Sequence, residues 1–322
     1  MRRPGTGDLV ILGWRVAGRL PGAVVRGVCA VAADATWLRR GAGVRQLEAN
    51  LRRVRPAASP RALRRLSRAG MRSYLRYYGE AFTLGTLTRD QIEARVRVLG
   101  LEQYDAELAG GRTVVLALGH LGNWDLAGAW ATAHVPRVTT VAEHLRPEEL
   151  FQAFLSFRTG LGMTIIPLST GGDVFRQLVH AVRTGPGLLP LLADRDLTAH
   201  GIEVQLFGET ARVAAGPAAL SVSTGASLAT ATIWYERLHG ATRRAAGSPW
   251  GIVIQFHPLL APPADEPRAD RVRVLTQAWV DDLARGIDAH PQDWHMLQKV
   301  WVADLDADRY ARTVAASAGE HA

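Results

Sequence analysis

From residue 113 onward the chain alternates between two hydrophobic periods, and that alternation limits the folds open to it. Short apolar runs at 113–118, 138–142, 163–168, 187–193, 203–207, 227–235 and 251–257 read as strands. Between them, 123–134, 147–160, 172–184 and 213–223 carry helical spacing, and a longer helical stretch follows at about 268–289. Strand and helix in alternation predict an α/β fold with a mostly parallel central sheet flanked by helices. In the last stretch Val272, Leu275, Trp279, Leu283 and Ile287 share one face, as a helix packed on a sheet requires.

The first third reads differently. Residues 1–80 hold seventeen arginines against four acids, a net of +13, while the whole chain of 322 residues is +8. A GC-rich genome explains the choice of arginine over lysine (Lys299 is the only lysine) but not the clustering, which argues for an anionic partner. No run approaches the ~20 apolar residues that span a bilayer. Leu9 to Leu38, with Trp14 and Trp37 among arginines, has two readings: an interfacial segment, or helices packed on the domain with their arginines in water. From Arg61 to Tyr78, Leu63, Leu66, Gly70, Tyr74 and Tyr77 form one helical stripe, and Arg61, Arg65, Arg68, Arg72 and Arg76 form another. That second face is either solvated or turned to lipid or phosphate.

No Gly/Ser-rich linker separates the two parts. One domain is therefore expected over 1–310, helical and membrane-facing at 1–105 and α/β at 106–310, with a tail at 311–322. Cys29 is the sole cysteine, which excludes a disulfide framework and a cysteine metal site.

The chemistry is concentrated in Gly119-His120-Leu121-Gly122-Asn123-Trp124-Asp125, between the strand at 113–118 and the helix at 123–134. A histidine at a strand end and a carboxylate at a helix start can form a general base whose developing charge an acid manages. One helical turn would bring Asp125 back toward the His120 ring. The plain alternative is that Asn123 or Asp125 only caps the helix. Other polar groups stand at similar places: Glu143 after the strand at 138–142, Arg158 late in the next helix, and Asp194-Arg195-Asp196 after the run ending at Ala193. Glu143 and Arg158 could equally form a structural ion pair, and Asp196 could cap a turn. Strand ends are where ligands sit on open α/β sheets.

The string His120-Leu121-Gly122-Asn123-Trp124-Asp125 resembles the signature of the lysophospholipid acyltransferase superfamily, in its bacterial lipid A and phosphatidylinositol mannoside acyltransferase branch. The run Ala193-Asp194-Arg195-Asp196-Leu197 with Gly201 to Gly208 and Ala215-Gly216-Pro217-Ala218 is similar to that family's second conserved region. Pro291-Gln292-Asp293-Trp294 through Trp301 resembles its closing element, whose residues are expected to be structural. The sequence departs from the family at Ala229-Thr230-Ala231, where a proline is common, and at the insert-like 240–248.

The resemblance implies an acyl-CoA-dependent O-acyltransferase, most like the actinobacterial enzymes that acylate a mannose of phosphatidylinositol mannoside, commonly with palmitoyl-CoA. A lipid A-type acceptor is the alternative. His120 and Asp125 are the expected catalytic pair, and Asn123, Glu143, Arg158, Asp194 and Arg195 the expected substrate-binding residues. The expected partners are acyl-CoA, phosphatidylinositol mannoside or a related glycolipid, and the anionic inner face of the cell membrane, where the protein would be peripheral; no cofactor, metal or nucleic acid is expected. Competing motifs are missing: no Gly-x-Ser-x-Gly elbow, no phosphate loop and no His-Glu-x-x-His. A non-catalytic basic protein binding membrane or nucleic acid is the remaining alternative; it lacks an aromatic-interleaved recognition motif.

Overall fold

The computed structural model describes residues 16–143, 148–168, 174–198, 200–261, 265–308 and 310–311. Trp14 and the tail beyond 311 lie outside them. Among the described residues, the first elements with both ends placed are three helices: α1 Gly22–Arg39, α2 Ala42–Val54 and α3 Pro60–Leu84. Then follow α4 Arg89–Glu93, β1 Val96–Leu99, α5 Asp105–Ala109, β2 Thr113–Leu118, α6 Trp124–His134, β3 Thr139–Glu143, α7 Glu148–Gly160, β4 Thr164–Leu168 and α8 Val174–Arg183. The chain continues through β5 Gly187–Leu192, β6 Ile202–Leu206, β7 Glu209–Val213, α9 Gly216–Thr224, β8 Leu228–Arg237, α10 Gly240–Ala246, β9 Trp250–Phe256 and α11 Arg268–Ala289.

The central sheet has five strands in the order β1-β9-β8-β2-β5. Three of its junctions are parallel and only β8/β9 is antiparallel, so the expected α/β fold with a mostly parallel sheet is what forms. The parallel pair β3–β4 meets β5 through the bridge Val138↔Leu188, and β6–β7 is a separate hairpin. All six residues of β2 are buried, as a central strand covered on both faces demands. Val115 and Ala117 pack with α11's Leu275, Trp279, Leu283 and Ile287. Val114, Leu116 and Leu118 face the other way, onto α6's Leu126 and Trp130.

Two elements depart from the expected organisation. β1 lies within the stretch expected to be helical, yet it pairs with β9 at the sheet's edge. With four residues it offers too short a period to read. β7 follows the two-residue turn Phe207-Gly208, both at positive φ, and its Glu209 and Arg212 hide the strand character. The insert-like 240–248 holds α10, whose Ala246 carbonyl accepts from Arg95 Nε at 2.8 Å.

The helical part is tied to the rest. Ser59 caps α3 and Pro60 opens it. Asn50 Nδ2 donates to the Met296 and Gln298 carbonyls at 2.8 and 2.9 Å, joining α2 to the C-terminal segment. The arginine stripe of α3 divides: Arg68 and Arg72 both bind Asp34 of α1, Arg76 lies 3.6 Å over the Trp250 ring, and Arg61 and Arg65 are exposed. Among the described residues no helix is long and apolar enough to cross a membrane.

Candidate active site

β2 ends at Leu118, and the next five residues turn the chain into α6. Gly122 has φ +66, and a Cβ there would stand 2.6 Å from the Ile233 carbonyl oxygen. Asn123 then caps α6 by accepting from the Leu126 N–H at 3.0 Å. The loop is held from the C-terminal segment: Gly122 N–H donates to the Asp293 carbonyl at 2.9 Å, and His295 N–H to the His120 carbonyl at 2.7 Å.

The carboxylate on the His120 ring is Asp194, 2.6 Å from Nδ1 through Oδ1. Its Oδ2 accepts from the His120 backbone N–H and from Trp294 Nε1, each at 2.9 Å. Burial pushes the Asp194 carboxyl up, but the charge on His120 and these three N–H groups outweigh it and hold the group below the ordinary carboxylate range. An ionised Asp194 fixes the proton of a neutral ring on Nδ1 and leaves the lone pair on Nε2. The His120 side chain keeps 39% of its surface exposed while Asp194 keeps 2%, so the ring is partly exposed and its carboxylate partner is not.

The expected pairing of His120 with Asp125 is therefore corrected. Asp125 is buried, with Oδ1 accepting from Arg158 Nε at 2.7 Å and Oδ2 from the Tyr77 hydroxyl at 2.7 Å. Helix geometry alone favoured Asp125, but α7 and α3 bring in stronger claimants for its oxygens. Burial acts against the Arg158 charge, yet Asp125 and Tyr77 more than compensate and raise its pKa. Burial and the neighbouring Asp125 raise that of Tyr77, which stays a neutral donor.

Asn123 is also corrected. It has no exposed surface; its oxygen serves the α6 cap and its Nδ2 donates to Glu80 at 2.8 Å, which makes it a support for the loop rather than a group facing substrate. Arg195 is half-buried beside Asp194 and turns Nε to the Lys299 carbonyl at 3.0 Å. Glu143 is the last residue of β3, in register with Leu168, and its side chain lies outside the described residues.

Sequence reasoning read Tyr77 only as part of a helical stripe, and Trp294 and His295 only as part of a structural closing segment. His295 is buried, with Nε2 3.0 Å from Ser73 Oγ, whose hydroxyl donates to Asp293 Oδ1 at 2.6 Å. Burial, with His120 and Arg76 nearby, brings its pKa down to about 3. Asp194, expected among the substrate-binding residues, is instead the buried partner of the His120 ring. Besides the family resemblance that singled it out, the strands carry a signal for it: Leu118 and Leu192 are register partners on adjacent parallel strands, so residues 120 and 194 leave the sheet side by side.

Next to this centre is an apolar cavity of about 90 Å³. Trp124, whose ring meets that of His120 edge-on at 5.6 Å, lines it together with Asp125, Arg158, Gly128, Met163 and Phe256. A partly exposed imidazole at the edge of an apolar slot suits a ligand with a polar end and a long apolar part.

The sequence pattern of the family described as bacterial lipid A biosynthesis acyltransferase matches residues 2–303. The chain is 39% identical over 305 residues to the phosphatidylinositol mannoside acyltransferase of Mycolicibacterium smegmatis strain ATCC 700084 / mc(2)155, covering 93% of this chain and 92% of that one. It is 40% identical over 307 residues to the protein of the same name from Mycobacterium tuberculosis strain CDC 1551 / Oshkosh, covering 93% and 90%. Among solved structures, the 1-acyl-sn-glycerophosphate (LPA) acyltransferase PlsC from Thermotoga maritima aligns with 69% of this chain and 87% of its own at a TM-score of 0.36 and 14% identity.

Proposed function

The chain belongs to the bacterial lipid A biosynthesis acyltransferase family and is an acyltransferase, and from that premise we propose that it moves a long-chain acyl group, palmitoyl being the expected one, from acyl-CoA to a mannose hydroxyl of a phosphatidylinositol mannoside. The observation that carries the reading is the His120 ring held on buried Asp194 beside an apolar slot. Nε2 takes the proton of the acceptor hydroxyl as its oxygen attacks the thioester carbonyl, and Asp194 stabilises the imidazolium that forms. The tetrahedral intermediate collapses with loss of the CoA thiolate, which the imidazolium protonates. Transfer is direct, and beyond the acyl-CoA donor the reaction needs no cofactor. The acyl chain lies in the slot between α6 and the sheet. Asp125 and Arg158 act beneath the loop as a buried pair that fixes Trp124 and the start of α6, and Arg195 and Glu143 are the proposed groups on the acceptor side.

The enzyme works as a peripheral protein at the cytoplasmic face of the membrane. Of the ten exposed large hydrophobic side chains among the described residues, six fall in 16–38, and Val24, Val28, Val31 and Leu38 of α1 recur at helical spacing. An outward apolar stripe on a chain segment rich in arginine suits an anionic lipid surface. The second reading, a lipid A-type acceptor, rests on the family's own description.

The test is incubation of the purified protein with palmitoyl-CoA and a phosphatidylinositol mannoside, following CoA release and the acylated lipid by mass spectrometry. His120→Ala is expected to lower product formation at least a thousandfold with the far-UV circular dichroism unchanged. Acceptor-independent CoA release would leave only thioester hydrolysis, and turnover with other glycolipids alone would move the acceptor assignment.

A further inference from the structure

A second cavity, of about 430 Å³, lies between α1, α3 and Trp250 and shares no lining residue with the apolar slot. Four arginines line it: Arg26, Arg72, Arg76 and Arg95. Arg72 is held by Asp34 through two nitrogens. Arg95 gives Nε to the Ala246 carbonyl, and its terminal nitrogens are left for the cavity. Arg76 stacks on Trp250, and among the described residues no hydrogen-bond acceptor stands on its guanidinium or on that of Arg26. Among the described residues Glu80 is the only acid in the lining, and its Oε2 already accepts from Asn123 Nδ2 and the Tyr235 hydroxyl.

Three guanidinium groups thus face one carboxylate in a partly dehydrated space. Burial lowers the pKa of Arg26 and of Arg95, and in both Glu80 only partly offsets it. Such a surplus is unfavourable unless an anion neutralises it. A carboxylate would bring one charge on two oxygens; a phosphate group brings one charge as a diester and about two as a monoester, with oxygens that match several planar guanidinium forks at once. Trp250, with Arg76 over its ring at 3.6 Å and Arg237 at 4.6 Å, gives the cavity a rigid wall against which Arg76 is already oriented.

We propose that this cavity is a binding site for a phosphate group, held by Arg26, Arg76 and Arg95 and separate from the acyl-transfer centre. The phosphate belongs either to a soluble molecule or to a lipid headgroup, and two probes separate the sources. This inference does not rest on the acyl-transfer reading, because neither probe is a substrate of that reaction.

Inorganic phosphate is titrated into the full-length protein against chloride at matched ionic strength, with thermal unfolding as the readout. In parallel, binding to vesicles of phosphatidylcholine with and without phosphatidylglycerol is measured. The variants are Arg26→Gln, Arg76→Lys, which keeps the charge and removes the fork, and Arg61→Gln, which removes the same charge from the exposed face of α3. A saturable phosphate effect weakened at least tenfold by Arg26→Gln, weakened several-fold by Arg76→Lys and left unchanged by Arg61→Gln is expected for a soluble source. The same pattern confined to phosphatidylglycerol vesicles identifies a headgroup. Equal losses in Arg26→Gln and Arg61→Gln, or no dependence on Arg26 and Arg76 with either probe, overturns the proposal.

Discussion

At the scale of single residues, the site turns on which carboxylate holds the His120 ring. Asp194 meets Nδ1 at 2.6 Å, while the Asp125 oxygens serve Arg158 and Tyr77. Asp194→Asn would keep the shape but lose the charge and the proton preference of Nδ1, so kcat is expected to fall by about 10²–10⁴-fold with the fold intact. A loss of that size in Asp125→Asn alone, with Asp194→Asn near wild type, would restore the pairing read from helix spacing. His295 makes a second residue-scale prediction. Its pKa is about 3 in the fold against 6.5 when solvated, so the unfolded chain binds the proton first as pH falls. The neutral imidazole therefore contributes its full stability above pH 6.5, and about 1.4 kcal/mol is lost per unit as pH falls from there toward 3. Urea unfolding at several pH values should show the gap between wild type and His295→Asn closing at that rate on acidification. A gap independent of pH would mean that His295 does not stay neutral when buried.

At the scale of elements, the turn from β2 into α6 is set by glycine geometry and held from outside. Gly122 combines φ +66 with a backbone oxygen 2.6 Å from its would-be Cβ, and its N–H is bonded to Asp293. Gly122→Ala must move that loop against the Ile233 carbonyl, so it is expected to lose about 1–3 kcal/mol of stability and to reduce activity more than ten-fold. Unchanged denaturant midpoint and turnover would show that the loop repacks at no cost. The segment 293–295, read from sequence as structural, supplies three contacts to the centre: the Asp293 carbonyl, Trp294 Nε1 and the His295 N–H. It is structural in the sense that it holds the His120 loop and Asp194, which composition and periodicity do not reveal.

At the scale of the molecule, the basic excess of residues 1–80 is divided among ion pairs, the second cavity and the surface. Part is internal: Arg68 and Arg72 join α3 to Asp34 of α1, and Arg64 binds Glu48 of α2. Arg53 binds Asp304, Arg55 binds Asp288, Arg26 and Arg76 line the second cavity, and Arg61 and Arg65 are exposed. The outward stripe of α1 carries Val28 and Val31, which are 61% and 71% exposed. Replacing both with Asp removes apolar contact and adds like charge to an anionic surface without disturbing any buried group. Flotation with phosphatidylglycerol-containing vesicles should fall at least tenfold while the melting temperature stays within a few degrees. Flotation equal to wild type would place the membrane contact elsewhere.

The division between what was legible and what was not follows the range of the forces involved. The strand β2, the cap at Asn123, the helical stripe of α3 from Arg61 to Tyr78 and the amphipathic face of α11 were readable, because periodicity and capping depend on neighbours a few residues apart. The sequence alone therefore determined an α/β fold with a histidine delivered at the end of a central strand. It did not determine the partner of that histidine. Asp194 stands 74 residues away, and it reaches His120 only because β2 and β5 are adjacent, parallel and in register at Leu118↔Leu192. Asp125, five residues from His120, is kept for Arg158 and Tyr77 by the packing of α7 and α3. Tertiary structure decided both pairings, since a buried carboxylate goes to the donors that packing leaves beside it, however near another candidate lies along the chain.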